Sequence, residues 1–138
     1  MTTNRITLIT LGVTDLGRSR RYYEAIGWTA ETVLDAVVFF AMEGAKFGLF
    51  RLDDLAREQG RTPSELGRGA ATLAQNFAAR EDVDAAWTRA VEAGATGLVR
   101  PVETAWGGYS GYVADPDGHV WEYAMNPFWP LDAEGRLA

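Results

Sequence analysis

Residues 106–123, WGGYSGYVADPDGHVWEY, carry the side chains best able to do chemistry. His119 is the sole histidine and Glu122 lies three residues on, so the pair raises general acid–base chemistry or part of a metal site. Strand geometry separates them. Side chains alternate along a strand, so Val120 and Ala124 share the face of Glu122 while His119 turns to the other. The stretch Asp115-Pro116-Asp117-Gly118 is a turn signature, with proline presetting φ and glycine taking φ > 0. His119 is therefore expected to flank a turn, and the two aspartates to be structural. Glu122 keeps two readings. It is a general base whose pKa burial among aromatics would raise, or a carboxylate paired with a tyrosine or serine hydroxyl. Ser110 and Tyr112, two apart, share one strand face. Trp106 precedes Gly107-Gly108, where it either caps a planar ligand or packs on its own loop.

The elements that must position these residues fit one domain of 138 residues, long enough to bury about 68–70% of its unfolded surface. With no cysteine, disulfides and thiolate catalysis are excluded, and a zinc site would have only His119 and carboxylates to draw on. The net charge of −6 opposes nucleic-acid binding. Arg18, Arg20 and Arg21 read as the solvated face of a helix. No apolar run approaches the roughly 20 residues of a membrane span, and the start, MTTNRITLIT, lacks signal-peptide features. A cytoplasmic protein with no membrane or nucleic-acid partner is expected.

The chain says the same thing twice. RITLITLGV alternates as a strand, and DLGRSRRYYEAIG follows as a helix with Leu16, Ser19, Tyr23 and Ile26 on one face. WTAETVL, AVVFFAM and KFGLFRL are then three strands. The pattern restarts with strand AATLAQNFA and helix EDVDAAWTRAVEAGA, whose buried stripe is Val83, Ala86, Trp87 and Ala90. Strands TGLVRPV, YSGYVA and HVWEYAM close it. The reading is α+β, with two βαβββ modules at about 4–51 and 70–126 joined by residues 52–69. Each four-stranded sheet has one helix on one face, so two such sheets can curl into a U around a cleft. Trp28, Trp87 and Trp121 are expected in the cores, whereas Phe128 and Trp129 in the tail point to a homodimer contact.

The two modules, with LGVTDLGRSRRYYEAIGW near the start and DPDGHVWEY near the end, resemble the vicinal oxygen chelate superfamily. That group includes glyoxalase I, extradiol dioxygenases, fosfomycin-resistance enzymes and bleomycin-binding proteins. The resemblance covers nearly the whole chain and implies a U-shaped sheet that, in the enzymes, holds one divalent metal on His and Glu side chains. Carried onto this sequence, the four ligand positions fall at Leu8, at Gly48 to Phe50, at Thr72 and at Glu122. Of these only Glu122 is a strong ligand, and neighbouring Gln75 and Asn76 are weak ones. Tyr112, three before Asp115, matches a tyrosine that contacts ligand in the fosfomycin-resistance enzymes.

No metal or other cofactor is therefore expected, and the ligand-binding set is Thr10, Thr72, Asn76, Trp106, Ser110, Tyr112 and Glu122. The function this implies is metal-independent binding of an aromatic antibiotic or metabolite. The alternative is a glyoxalase- or dioxygenase-type enzyme, a lyase, isomerase or dioxygenase, in which Glu122 is a metal ligand or general base. A third reading, a structural dimerisation module, sits less well with polar residues in the cleft.

Overall fold

The structure, a computed structural model, describes residues 3–67 and 70–138. Its chain divides into two compact units, one reaching to Gly67 and the other comprising the remainder. Each is a four-stranded mixed sheet with a long helix on one face, an α+β arrangement.

In the first unit the strands are β1 (Leu8–Val13), β2 (Ala30–Val33), β3 (Val37–Met42) and β4 (Ala45–Arg51). They are ordered β1-β4-β3-β2, with β1 parallel to β4 and the other pairs antiparallel. Helix α1 (Leu16–Ala25) starts where the Asp15 carboxylate accepts the Arg18 amide at 2.9 Å, satisfying one donor of the first turn. It stops at Gly27, whose φ of 108° no β-carbon favours. Ser19, Tyr22 and Tyr23 are its buried residues, while Leu16 and Ile26 are half-buried. Tyr22 was outside the expected stripe, because two adjacent helix positions can both reach a wide core-facing face. The Tyr23 ring centroid lies 5.2 Å from those of Trp28 and Phe47, so an aromatic cluster joins helix to sheet. Such pairs add roughly 0.5–1.5 kcal/mol each beyond simple burial.

The connection carries a helix that the sequence reading left out, α2 (Leu52–Glu58), followed by a 3₁₀ turn at Pro63–Glu65. Residues 68 and 69 of that connection lie outside the described residues. Leu52, Leu55 and Ala56 have helical i, i+3, i+4 spacing, hidden by the charges around them. A β-carbon at Gly12 would stand 2.8 Å from the Leu52 side chain and 3.1 Å from that of Leu55. The glycine thus lets α2 settle on β1.

The second unit contains β5 (Thr72–Asn76), α3 (Arg80–Glu92), β6 (Thr96–Glu103), β7 (Tyr109–Ala114) and β8 (Val120–Met125). The order is β5-β8-β7-β6, with only β5 and β8 parallel. Val83, Trp87 and Ala90 of α3 are buried, as are Val113, Trp121 and Tyr123 on the strands; Ala86 is half-buried. Edge strand β6 slips register between Gly97 and Val99 and again between Val99 and Val102. The second irregularity contains Pro101, which has no amide to give a ladder and is tolerated at a bulge. Among the described residues no helix is long and apolar enough to cross a membrane.

Candidate functional site

Helix α3 takes one face of the second sheet, and alternation assigns Glu122, Tyr112 and Ser110 to the opposite face. Strand register turns that face into rows. In the central row Glu122 stands between Ala74 of β5 and Tyr112 of β7, with Val99 beyond. In the next, Ala124 stands between Asn76 and Ser110. Val120 stands between Thr72 and Ala114 in the third. Glu122 is thus ringed by Ala74, Val120 and Ala124, small apolar groups, and by one phenol.

That phenol bonds to it: the Tyr112 hydroxyl donates to the Glu122 carboxylate. Burial, then the Glu122 charge, then this hydrogen bond hold the Tyr112 pKa above its ordinary 10.0. All three favour the neutral phenol, so Tyr112 is a proton donor rather than a base. Any stability this contributes is present below pH 10 and is lost as pH rises through the raised value. Glu122 is half-buried, and Ser110 is buried.

The strand under Tyr112 is fixed from behind. The Trp87 indole Nε1–H donates to the Tyr112 carbonyl at 3.0 Å. A β-carbon at neighbouring Gly111 would meet the Pro101 nitrogen at 2.8 Å and its ring carbons at 2.9 Å, so only glycine admits this close strand approach.

Of the seven residues expected to bind ligand, the structure brings Thr72, Asn76, Ser110, Tyr112 and Glu122 onto this one face. Thr10 belongs to the first sheet, beside Gly48, on the face away from α1. Trp106 lies in the turn between β6 and β7, about half exposed, with its ring over Gly108: a β-carbon there would come within 2.1 Å of the indole. The Thr104 hydroxyl accepts the Gly108 amide at 2.9 Å and closes that turn.

His119 lies ahead of β8, where its amide donates to Asp115 Oδ1 at 2.9 Å. The Asp117 amide shares that acceptor at 3.0 Å, and Gly118 has φ of 88°. The Asp115 carboxylate thus braces the Asp-Pro-Asp-Gly turn. Phe128 and Trp129 are 71% and 57% exposed. Sequence reasoning named the polar residues and placed Ala124 on the face of Glu122, but missed Ala74 and Ala114 beside them, and missed Trp87 as the support of Tyr112. Ala114 was signalled by its place two residues from Tyr112.

The family model for the Glyoxalase/Bleomycin resistance protein/Dioxygenase superfamily matches residues 5–123. The chain belongs to this superfamily. Among solved structures of the glyoxalase fold, a glyoxalase-related enzyme from Fulvimarina pelagi is 35% identical, with a TM-score of 0.91 over 99% of this chain and 98% of that one. A lactoylglutathione lyase from Agrobacterium tumefaciens, 21% identical, aligns with a TM-score of 0.72 over 93% of this chain and 98% of its own. The S. aureus protein SA1046, 19% identical, gives 0.78 over 91% and 96%. The last two share the fold. No curated protein matches the chain.

Side-chain chemistry decides whether a glyoxalase-superfamily metal fits. In the first unit Leu8 pairs with Lys46, and Gly48 to Phe50 offer no ligating atom on their side chains. In the second, Thr72 offers a hydroxyl and Glu122 a carboxylate, two rungs apart on neighbouring strands. Among the described residues no three His, Asp or Glu side chains gather where they could hold a metal ion. One carboxylate and one hydroxyl do not fit the donor set of a zinc, nickel or iron site.

Proposed function

We propose that this glyoxalase-superfamily protein binds a small aromatic molecule directly, without a resident metal, on the face of the second sheet that carries Tyr112 and Glu122. The hydrogen-bonded Tyr112–Glu122 pair, set in a floor of alanines, is the observation that carries this reading. An apolar lining with a few convergent polar groups is the usual make-up of a small-molecule site. Ser110 and Asn76 add hydrogen-bonding capacity one row away. Sequestration of an antibiotic or metabolite in the cytoplasm is the role such binding would serve. A homodimer joined through the exposed Phe128 and Trp129 belongs to the same proposal, and sedimentation equilibrium of the wild type against a Phe128→Ser, Trp129→Ser double variant reads it.

The enzyme reading draws its support from the 35% identical relative, described as a glyoxalase-related enzyme. In that reading Glu122 is a metal ligand or general base. A panel of aromatic compounds screened by tryptophan quenching tests the binding proposal. For the compounds that bind, Tyr112→Ala is expected to weaken affinity at least about tenfold by removing both ring and hydroxyl, with the melting transition retained. Unchanged affinity for every binder would remove Tyr112 from the site and contradict the proposal.

A further inference from the structure

Glu122 is the only Asp, Glu, His, Lys or Arg of the three rows. Its described neighbours on the face are alanines, a valine and the Tyr112 phenol, which fills one acceptor position of a carboxylate that has about four. Three arginines of this unit are engaged elsewhere. Arg80 is 2.7 Å from Glu103 and stacks over Tyr109, whose hydroxyl reaches Asp84 of α3. Arg100 lies over the Trp87 ring, and Arg136 is 3.0 Å from Asp132. The Glu122 carboxylate has a hydrogen-bond donor in Tyr112 but no ion-pair partner among the described residues.

A ligand lying on the alanine floor must cover Glu122. Covering a carboxylate with a neutral ring strips its water and returns nothing, and an anion adds repulsion. A ligand bearing a positive charge and N–H donors offsets both costs, through charge-assisted hydrogen bonds to the oxygen positions that Tyr112 leaves open. We propose that the ligand of this face is an aromatic or planar organic cation, with an ammonium, amidinium or guanidinium group on Glu122 and its ring over the neighbouring Ala74 and Ala124. This rests on the binding function proposed above and names the ligand class.

Benzamidinium, benzamide and benzoate share shape and differ in charge, so they separate the two claims. Each is titrated into the full chain at low salt, to about 10 mM, where fragment-sized ligands report, and followed by amide chemical shifts. Benzamidinium is expected to shift the amides of residues 110–112 and 120–124, with affinity at least about tenfold above benzamide and benzoate weakest. Glu122→Gln keeps the shape and removes the charge, so in this variant the preference is expected to collapse to within about twofold. Thermal melting of the variant confirms that it folds.

Benzamide binding as well as benzamidinium, with shifts on the same rows, would overturn the cation inference and leave the binding site standing. Shifts from no probe on those rows would overturn both. A preference for benzamidinium that persists in Glu122→Gln would also overturn the inference, since the charge would then be read by another group.

Discussion

Trp87→Ala is expected to lower the unfolding free energy by about 3–5 kcal/mol, the range for emptying a large aromatic from a core. Trp87 is 8% exposed and packs so closely on Gly97 that a β-carbon there would lie 2.6 Å from the indole. It also ties α3 to the strand that presents Tyr112, through the hydrogen bond to the Tyr112 carbonyl. Truncation therefore removes packing and a partner together. Trp87→Phe separates them, because it keeps much of the ring and deletes the N–H. Leaving the carbonyl without its donor is worth roughly 1–3 kcal/mol, so the phenylalanine variant should fall between wild type and alanine. Urea denaturation of the three proteins reads this order. Because the lost bond ends on Tyr112 itself, ligand affinity should weaken in Trp87→Phe although no ligand contact has been removed.

Gly111→Ala is expected to cost about 1–3 kcal/mol by overpacking. The obstacle is the Pro101 backbone nitrogen at 2.8 Å, which cannot swing aside as a side chain would. Relief requires β6 to separate from β7 beside Tyr112 and Ser110. Gly67→Ala is the control, since nothing lies within 4 Å of its added β-carbon. Thermal denaturation should show a loss for the first substitution and none of this kind for the second. Equal stability of the two variants would mean that β6 gives way freely at Pro101.

Much of the fold was legible because hydrophobic period carries secondary structure. The 3.6-residue spacing of Val83, Trp87 and Ala90 marked α3, and alternation marked β7 and β8 closely. Helix α2 was not legible in the same way. Its three core-facing residues are interrupted by Asp53, Asp54 and Arg57, and it is held by the vacancy at Gly12, forty residues away in the chain. Parity assigned Ser110 to the face of Tyr112, and Val120 and Ala124 to the face of Glu122, because regular strands leave no alternative once one residue is placed. The Tyr112–Glu122 hydrogen bond additionally needs the β7–β8 register, which no local pattern fixes. The bulges of β6 and the fold of Trp106 onto Gly108 depend on long-range packing, and neither follows from the glycines and proline read one at a time.

The central claim is that this member of the glyoxalase superfamily meets its ligand with protein groups alone. Metal content per subunit, measured by plasma mass spectrometry on wild type and Glu122→Ala after exposure to Ni²⁺, Zn²⁺, Fe²⁺ and Mn²⁺ and desalting, tests it most directly. The expected result is far less than one metal per subunit in both proteins. Near-stoichiometric metal in the wild type that disappears in Glu122→Ala would contradict the claim, make Glu122 a ligand, and turn the search to lyase and dioxygenase substrates.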